Sequence, residues 1–478
     1  MFDGLRPDMV DAATMPNLHA FQDRHCRFAR ARCVFPSETR VNAAALVTGC
    51  QPARAGVVGN QFHAGDVFAD RWVRTAERDD LVAVDAAWNG RLIDAPTLGE
   101  RLAAAGLTYA VVATGSTGAT WLLAHRAEAL GQLRWSAHGA AHSASRAMWD
   151  GIEARFGPPP PGGVPASARV AHATSIYLDH VLPRIDPDVA VLWYTDPDNS
   201  YHYAGIGSAA ARESLVAADS AFGRVVEAWE RAPDQDRRTI IVVSDHGQVT
   251  NRGRIDLVGA FAGSGFSVDT RAVGNADLGL VPGSASAVTF RRDDPGLRRA
   301  VAEWVAEQAW SGALFSAGPD RDAGALDGTF NRALVGLDSG RVADLVFTFA
   351  HDDAVGGGGW PGGAPHDSAL ADGHGNHGGL HPREMGNYLA IGGARFRGGY
   401  VSPCPAGIVD IAPTILHLLG LPHGGCDGRV LHEAFVDGAT PVWEAHALDL
   451  VVGGATRRLS LSRVVGTLYV DGGGRVAP

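Results

Sequence analysis

The chain has 478 residues, 46% of them hydrophobic, and carries 41 basic against 52 acidic side chains, a net charge of -11. Such an acidic surface excludes non-specific binding to nucleic-acid polymers, and no apolar run approaches the roughly 18 residues of a membrane span. All the basic residues are Arg, which excludes Schiff-base lysine chemistry and the P-loop; five Cys without a CxxC pair argue against a disulfide framework or a zinc ribbon.

Met1 is followed by Phe2-Asp3-Gly4, not by a basic segment and an apolar stretch. No signal peptide is legible, and the chain as it stands reads as cytoplasmic. Leu107 to Ala113 reads as a strand ending in Thr114-Gly-Ser-Thr-Gly118. Gly157-Pro-Pro-Pro-Pro-Gly-Gly163 reads as a loop. Asp188-Val-Ala-Val-Leu-Trp-Tyr194 is a second strand, followed at once by Thr195-Asp-Pro-Asp-Asn-Ser-Tyr-His202. Leu215, Ala218, Phe222, Val225, Val226 and Trp229 recur at helical spacing and give one apolar face. Thr239 to Val243 is a third strand, leading into Ser244-Asp-His-Gly247. Strands are also expected at Ser286–Phe290 and Asp344–Phe349, and a loop at Gly356 to Gly363. Asn387 to Ile391 completes the strands, and Asp410 to Leu419 is a helix with Asp410 as N-cap and Gly420 as stop.

Short β-branched runs without alternation indicate central parallel strands covered on both faces. Strands alternating with helices give an α/β, doubly wound, mostly parallel sheet, whose ligands gather at the carboxyl ends of strands. Residues 1–250 and 375–435 are expected to form the core, 251–374 an inserted cap or lid, and 436–478 a C-terminal extension packed on the core.

Carboxylates and imidazoles collect at these strand ends: Asp3, Asp198 with His202, Asp245 with His246, and His377 in Gly375-Asn-His-Gly378. With Thr39 they make a set of oxygen and nitrogen ligands for two metal ions. Imidazole and carboxylate without thiolate suit Zn²⁺ best, with Mn²⁺ or Fe as competitors. Asp245 and His246 share one ion only if the chain turns there, and Gly247 is expected to permit the turn.

On these residues the sequence resembles the alkaline phosphatase superfamily, in its nucleotide pyrophosphatase/phosphodiesterase branch. The resemblance runs through Asp3-Gly-Leu-Arg-Pro-Asp8, Phe35-Pro-Ser-Glu-Thr-Arg-Val-Asn42, Gly56-Val-Val-Gly-Asn60, Asp198-Asn-Ser-Tyr-His202, Ser244-Asp-His-Gly247 and Gly375-Asn-His-Gly378. It continues through Val409-Asp-Ile-Ala-Pro-Thr414 to Asp427-Gly-Arg429, so it covers most of the chain to about 435 except the cap. It implies that Asp198, His202 and His377 hold one metal, and Asp3, Asp245, His246 and the Thr39 oxygen the other. It implies Thr39 as nucleophile through a covalent phospho-threonine, and Asn60 with the backbone N–H near Thr39 as binders of a phosphoryl oxygen. The implied reaction is two-metal hydrolysis of a small phosphodiester or nucleotide pyrophosphate. Two divalent cations against three carboxylates leave the empty site at about +1, which favours an alkoxide at Thr39.

Ser37 competes with Thr39 for the nucleophile's place, Asp196 with Asp198, and His366, His374 and His381 with His377; spacing favours Thr39, Asp198 and His377. Asp8 and Arg6 are expected only to fix the first turn, and Glu38 to lie at the surface or behind the site. Two features depart from the family. Nucleotide-cleaving members carry an aromatic after the nucleophile, and Arg40 stands there, able to grip a phosphate or carboxylate in two-point fashion. Trp121, Trp135, Tyr201 and Tyr203 are the other candidates for stacking on a base. Family members also have a full apolar strand ahead of the first Asp; the expectation is a start upstream of this Met, which would leave export open. The rival readings are a C–P hydrolase resembling phosphonoacetate hydrolase, a phosphate monoesterase, a mutase of the same superfamily, and a metal-deficient non-catalytic binder.

Overall fold

The computed structural model describes residues 1–476. Eight strands build the main sheet: β1 (Phe2–Asp3), β2 (Cys26–Arg32), β3 (Tyr109–Ala113), β4 (Leu133–Ser136), β5 (Val189–Pro197), β6 (Ile240–Val243), β7 (Leu389–Gly392) and β8 (Tyr400–Gly407). Their spatial order is β4-β3-β5-β1-β6-β7-β2-β8, the two halves meeting where Phe2 bridges to both Tyr194 and Ser244. β4, β3, β5, β1 and β6 run parallel, and β3, β5 and β6 carry the unbroken apolar runs of strands covered on both faces.

β7 is antiparallel to both β6 and β2, which corrects the expectation of a parallel strand there. The cause is where its chain comes from. Residues 377–386 already lie at the carboxyl edge of the sheet, next to Ser37 and Gly247, so the strand that follows descends from that edge.

Seven helices matter to the site and its support: α1 (Pro16–Arg24), α2 (Thr39–Thr48), α3 (Leu98–Ala104), α4 (Ser167–Ile176), α5 (Asp198–Ala204), α6 (Ala209–Glu230) and α7 (Ile411–Leu418). On one face Leu18 and Phe21 of α1 pack with Phe222, Val226 and Trp229 of α6 over Phe2 and Tyr194. On the other, α2 is buried along almost its whole length with α3 and α7. Asp410 heads α7 as expected, but its carboxylate does not cap the helix. Instead it accepts from Gly407 N at 2.7 Å, Arg429 N at 2.8 Å and the Tyr469 hydroxyl at 2.8 Å.

β1 lies between β5 and β6. The Met1 amino group donates to Leu192 O at 2.6 Å, and Tyr194 N donates to Met1 O at 3.0 Å. β5 and β6 also line a solvent-open cleft of about 620 Å³ with Tyr177, Trp229, Leu46, Ile411 and Ile415.

Residues 268–349 contain a separate six-stranded sheet with its own core of Leu280, Val288, Val305, Leu314 and Phe347. Val249–Arg254, Pro361–His366, Gly375–Asn376 and Asp352–Val355 form a small four-stranded sheet beside the site. The stretch Gly356 to Gly363 is therefore not wholly loop: Pro361 opens a strand that pairs parallel with Val249–Arg254. A meander of Trp443–Val452, Ala455–Val464 and Thr467–Arg475 follows, tied to the main sheet by Arg32–Asp471 at 3.0 Å. Of the expected extension 436–478, residues 477–478 lie outside those described. Among the described residues no helix is long and apolar enough to cross a membrane.

Candidate active site

Each acidic ligand candidate sits where a parallel strand ends. Asp3 closes β1, Asp198 follows the last residue of β5, and Asp245-His246 follow β6 by one residue. Gly4 turns the chain away from Asp3 at φ 67°, a conformation a side chain would strain, and its N–H donates to Asp245 Oδ1 at 3.0 Å. Gly247 has another reason to be glycine. It has no positive φ; a Cβ there would lie 2.0 Å from the Arg383 carbonyl oxygen, so close backbone approach, not turn freedom, dictates the residue. Asp198 opens α5 and His202 lies one helical turn on, with Nε2 3.3 Å from Asp198 Oδ1.

The structure brings all these groups together. Asp198, His202 and His377 present ligand atoms within 4.8 Å of one another, and so do Asp3, Asp198 and His246. Asp198 thus lies in both groups, which sequence spacing did not suggest. Asp245 joins through Oδ2, 3.1 Å from His246 Nε2. The His246 and His377 rings stack with centroids 3.7 Å apart. Thr39 is buried at the first turn of α2, its hydroxyl 3.1 Å from His246 Nε2. Asn60 receives a hydrogen bond on Oδ1 from the Arg40 guanidinium.

The donor set fits divalent cations. Each imidazole spends Nδ1 on a backbone carbonyl: His202 on Gly375 at 2.8 Å, His246 on Gly247 at 3.0 Å, and His377 on Ser37 at 2.7 Å. That fixes the tautomer and leaves each Nε2 a bare lone pair, as metal-binding histidines require. Asp3 Oδ1 and Asp245 Oδ2 are buried without a hydrogen-bond partner, an arrangement that a cation satisfies.

Charge in the cluster is correspondingly perturbed. Burial, then the neighbouring Asp245 and Asp198, raise the Asp3 carboxyl well above its ordinary range. Burial, then His246, pulls His377 well below the usual imidazole value. Burial opposes the charge on Asp198, but His202, His377 and His246 together hold its pKa down. Burial likewise opposes His246⁺, and Asp245 outweighs it, so that pKa rises.

The competing residues have other partners. Ser37 Oγ donates to Gly379 O and accepts from Gly378 N, both at 2.9 Å, and so holds the His377 segment in place. Asp196 accepts from Ala166 N and from Ser200. His374 bonds His202 O, His366 bonds Ser368 and Asp372, and His381 bonds Asp352 O. Of the aromatic candidates Trp121, Trp135 and Tyr201 are buried, while Tyr203 is 62% exposed beside His202.

Four supporting residues were missed or undervalued in the sequence. Gln248 donates through Nε2 to Asp198 Oδ1, and Trp193 Nε1 donates to Asp3 Oδ2 at 3.2 Å. Nothing in their local pattern marks them; only the meeting of distant segments does. Glu38 is 7% exposed, not a surface residue, and burial pushes its carboxyl up to about 7 against the pull of Arg40. Arg6 does more than fix the first turn: fully buried, it pairs with Asp8 at 2.7 Å and donates to Gln248 O and Pro361 O.

The profile of the type I phosphodiesterase/nucleotide pyrophosphatase family matches residues 1–378. No curated protein sequence matches the chain. Among solved structures, murine ectonucleotide pyrophosphatase/phosphodiesterase 5 superposes with a TM-score of 0.60 at 16% identity, over 89% of this chain and 95% of that one. An inactive variant of the same murine protein, in complex with AMP, gives a TM-score of 0.59 at 15% identity over the same shares. The chain thus shares the mixed α/β fold of that murine protein, built on a mostly parallel sheet, and its side chains include groups able to hold divalent metal. The chain belongs to the type I phosphodiesterase/nucleotide pyrophosphatase family, a family of phosphoester hydrolases.

Proposed function

We propose that the chain hydrolyses a small phosphodiester or nucleotide pyrophosphate through a covalent phospho-threonine at Thr39. The observation that carries this reading is the Thr39 hydroxyl at a helix N-terminus, 3.1 Å from His246 within a cluster of three carboxylates and three imidazoles. In this reading residues 1–250 and 375–435 carry the chemistry, 251–374 form a cap over it, and 436–478 brace the core.

Asp198, His202 and His377 would hold one divalent cation, and Asp3, Asp245, His246 and Thr39 Oγ the other, zinc suiting the donors best. Bound there, the cations supply positive charge that makes the Thr39 hydroxyl acidic and offsets charge on the departing oxygen. Thr39 Oγ, its proton passed to solvent, attacks phosphorus in line; the Oγ–P bond forms as the bond to the leaving alkoxide or phosphate breaks. The Thr39 and Arg40 N–H groups open α2 outside its hydrogen-bond ladder and suit a non-bridging oxygen there. The Asn60 carboxamide N–H donates to another, a contact worth about 2.7–4 kcal/mol when well placed. Water then attacks the phospho-threonine, returning the hydroxyl and releasing a phosphomonoester.

Exposed Tyr203 beside His202 offers the aromatic face that Arg40 does not, which keeps nucleotides among the substrates. The absence of Lys from the chain counts against the phosphonoacetate-type C–P reaction, whose substrate carboxylate is gripped by lysines in that family. Turnover of bis(p-nitrophenyl) phosphate against p-nitrophenyl phosphate, with zinc present, tests the reading. A higher rate on the diester is expected; a monoester rate equal or higher assigns the site to monoesters.

A further inference from the structure

Arg40 stands next to the proposed nucleophile, but its contact is with another residue of the site. Its guanidinium donates through Nη2 to Asn60 Oδ1, and its Nε is buried with no hydrogen-bond partner. A guanidinium has donors only, so it can meet only the oxygen end of a carboxamide. The backbone polar groups of Asn60 are also engaged. Its carbonyl accepts from Thr75 N and Thr75 Oγ1, both at 3.0 Å, and its backbone N–H faces the Glu38 carboxylate. Among the described residues nothing accepts from Asn60 Nδ2, which leaves that NH₂ as the end available to a bound oxyanion.

We propose that Arg40 is a positioning residue: by taking the oxygen of the Asn60 carboxamide it fixes the amide in the one orientation that presents donors to the phosphoryl group. The proposal rests on the phosphoester reading above. A carboxamide tethered only at its Cβ turns over readily, and turned over it sets an oxygen against the substrate's anionic oxygens. A neutral or charged donor at position 40 prevents that turn, whatever its charge. A direct grip of Arg40 on substrate, by contrast, depends on the positive charge and not on Asn60.

The two roles separate in variants. Arg40→Ala, Arg40→Gln, Asn60→Ala and the double variant Arg40→Ala/Asn60→Ala are compared in the zinc-loaded full chain, with thermal unfolding to verify folding. Inorganic phosphate binding is read by calorimetry, and kcat and KM on the better ester by steady-state kinetics. Arg40→Ala is expected to weaken phosphate binding and lower kcat by about tenfold, a fraction of the loss from deleting a donor outright. In the Asn60→Ala background the same substitution is expected to cost almost nothing further, the signature of two residues acting as one unit. Arg40→Gln, a neutral donor, is expected to keep phosphate affinity within about threefold of wild type, taking the same contact with Asn60 Oδ1. Additive losses in the double variant, or Arg40→Gln as weak as Arg40→Ala, would overturn the positioning role while leaving the phosphoester reading intact. A wild-type chain that neither binds phosphate nor cleaves any ester would overturn both.

Discussion

His202 and His377 face each other through Nε2 atoms 3.1 Å apart, although both rings have already committed Nδ1 to backbone carbonyls. Two lone pairs at that distance repel unless a positive charge lies beside them. With Asp198 Oδ1 at 3.3 Å and 3.5 Å from the two rings, the group has the composition of a metal site. Calorimetric titration of chelator-stripped protein with zinc is expected to give about two equivalents and a raised Tm. His377→Ala is expected to retain about one. A stripped protein that takes up no zinc and is not stabilised by it would place the chain among non-catalytic binders.

Thr39 stands at the start of α2 with its hydroxyl 3.1 Å from His246 Nε2, while the carboxylates and imidazoles of the cluster come from other segments. Thr39→Ala is expected to lose about 10³-fold or more in kcat while retaining its zinc and its Tm. Acid-quenched wild-type enzyme is expected to show a phosphorylated peptide spanning Thr39, absent from the variant. Full activity in Thr39→Ala would remove it from the nucleophile's role.

Asp410 couples stability to pH. Burial raises its carboxyl from an ordinary 3.8 to about 6, against the pull of Arg429. The folded state therefore holds this proton more tightly than the unfolded chain. The stabilisation is complete below about pH 4 and is lost as pH rises towards 6, by up to about 3 kcal/mol. In urea unfolding at pH 4, 5, 6 and 7, wild type minus Asp410→Asn is expected to shrink across that window; a constant difference would contradict the assignment.

Gly247→Ala would set a methyl group 2.0 Å from Arg383 O and 2.9 Å from Gly386 O. Both are backbone atoms that cannot swing aside, so a loss of about 1–3 kcal/mol is expected, read as a fall in Tm. An unchanged Tm would mean that the 383–386 turn yields.

What could be read from the sequence were features carried by local pattern. The strands around Val191, Val111 and Val242 are unbroken apolar runs, which only a sheet covered on both faces requires, and Asp198 and Asp245-His246 stand beyond the carboxyl ends of the first and the last of them. Direction and partnership are not local properties. β7 is as apolar as its neighbours yet antiparallel, because its course depends on where residues 377–386 lie. The Pro361–His366 strand pairs through backbone groups alone and has no side-chain signature. The same holds at the site. Spacing singled out His377, but the tertiary structure alone turned its ring toward His202, sent His374 and His381 to other partners, and set Asp198 within reach of both ligand groups. It also buried Glu38 and gave Arg40 to Asn60. A side chain's identity is written along the chain; the atom it meets is decided by segments hundreds of residues away.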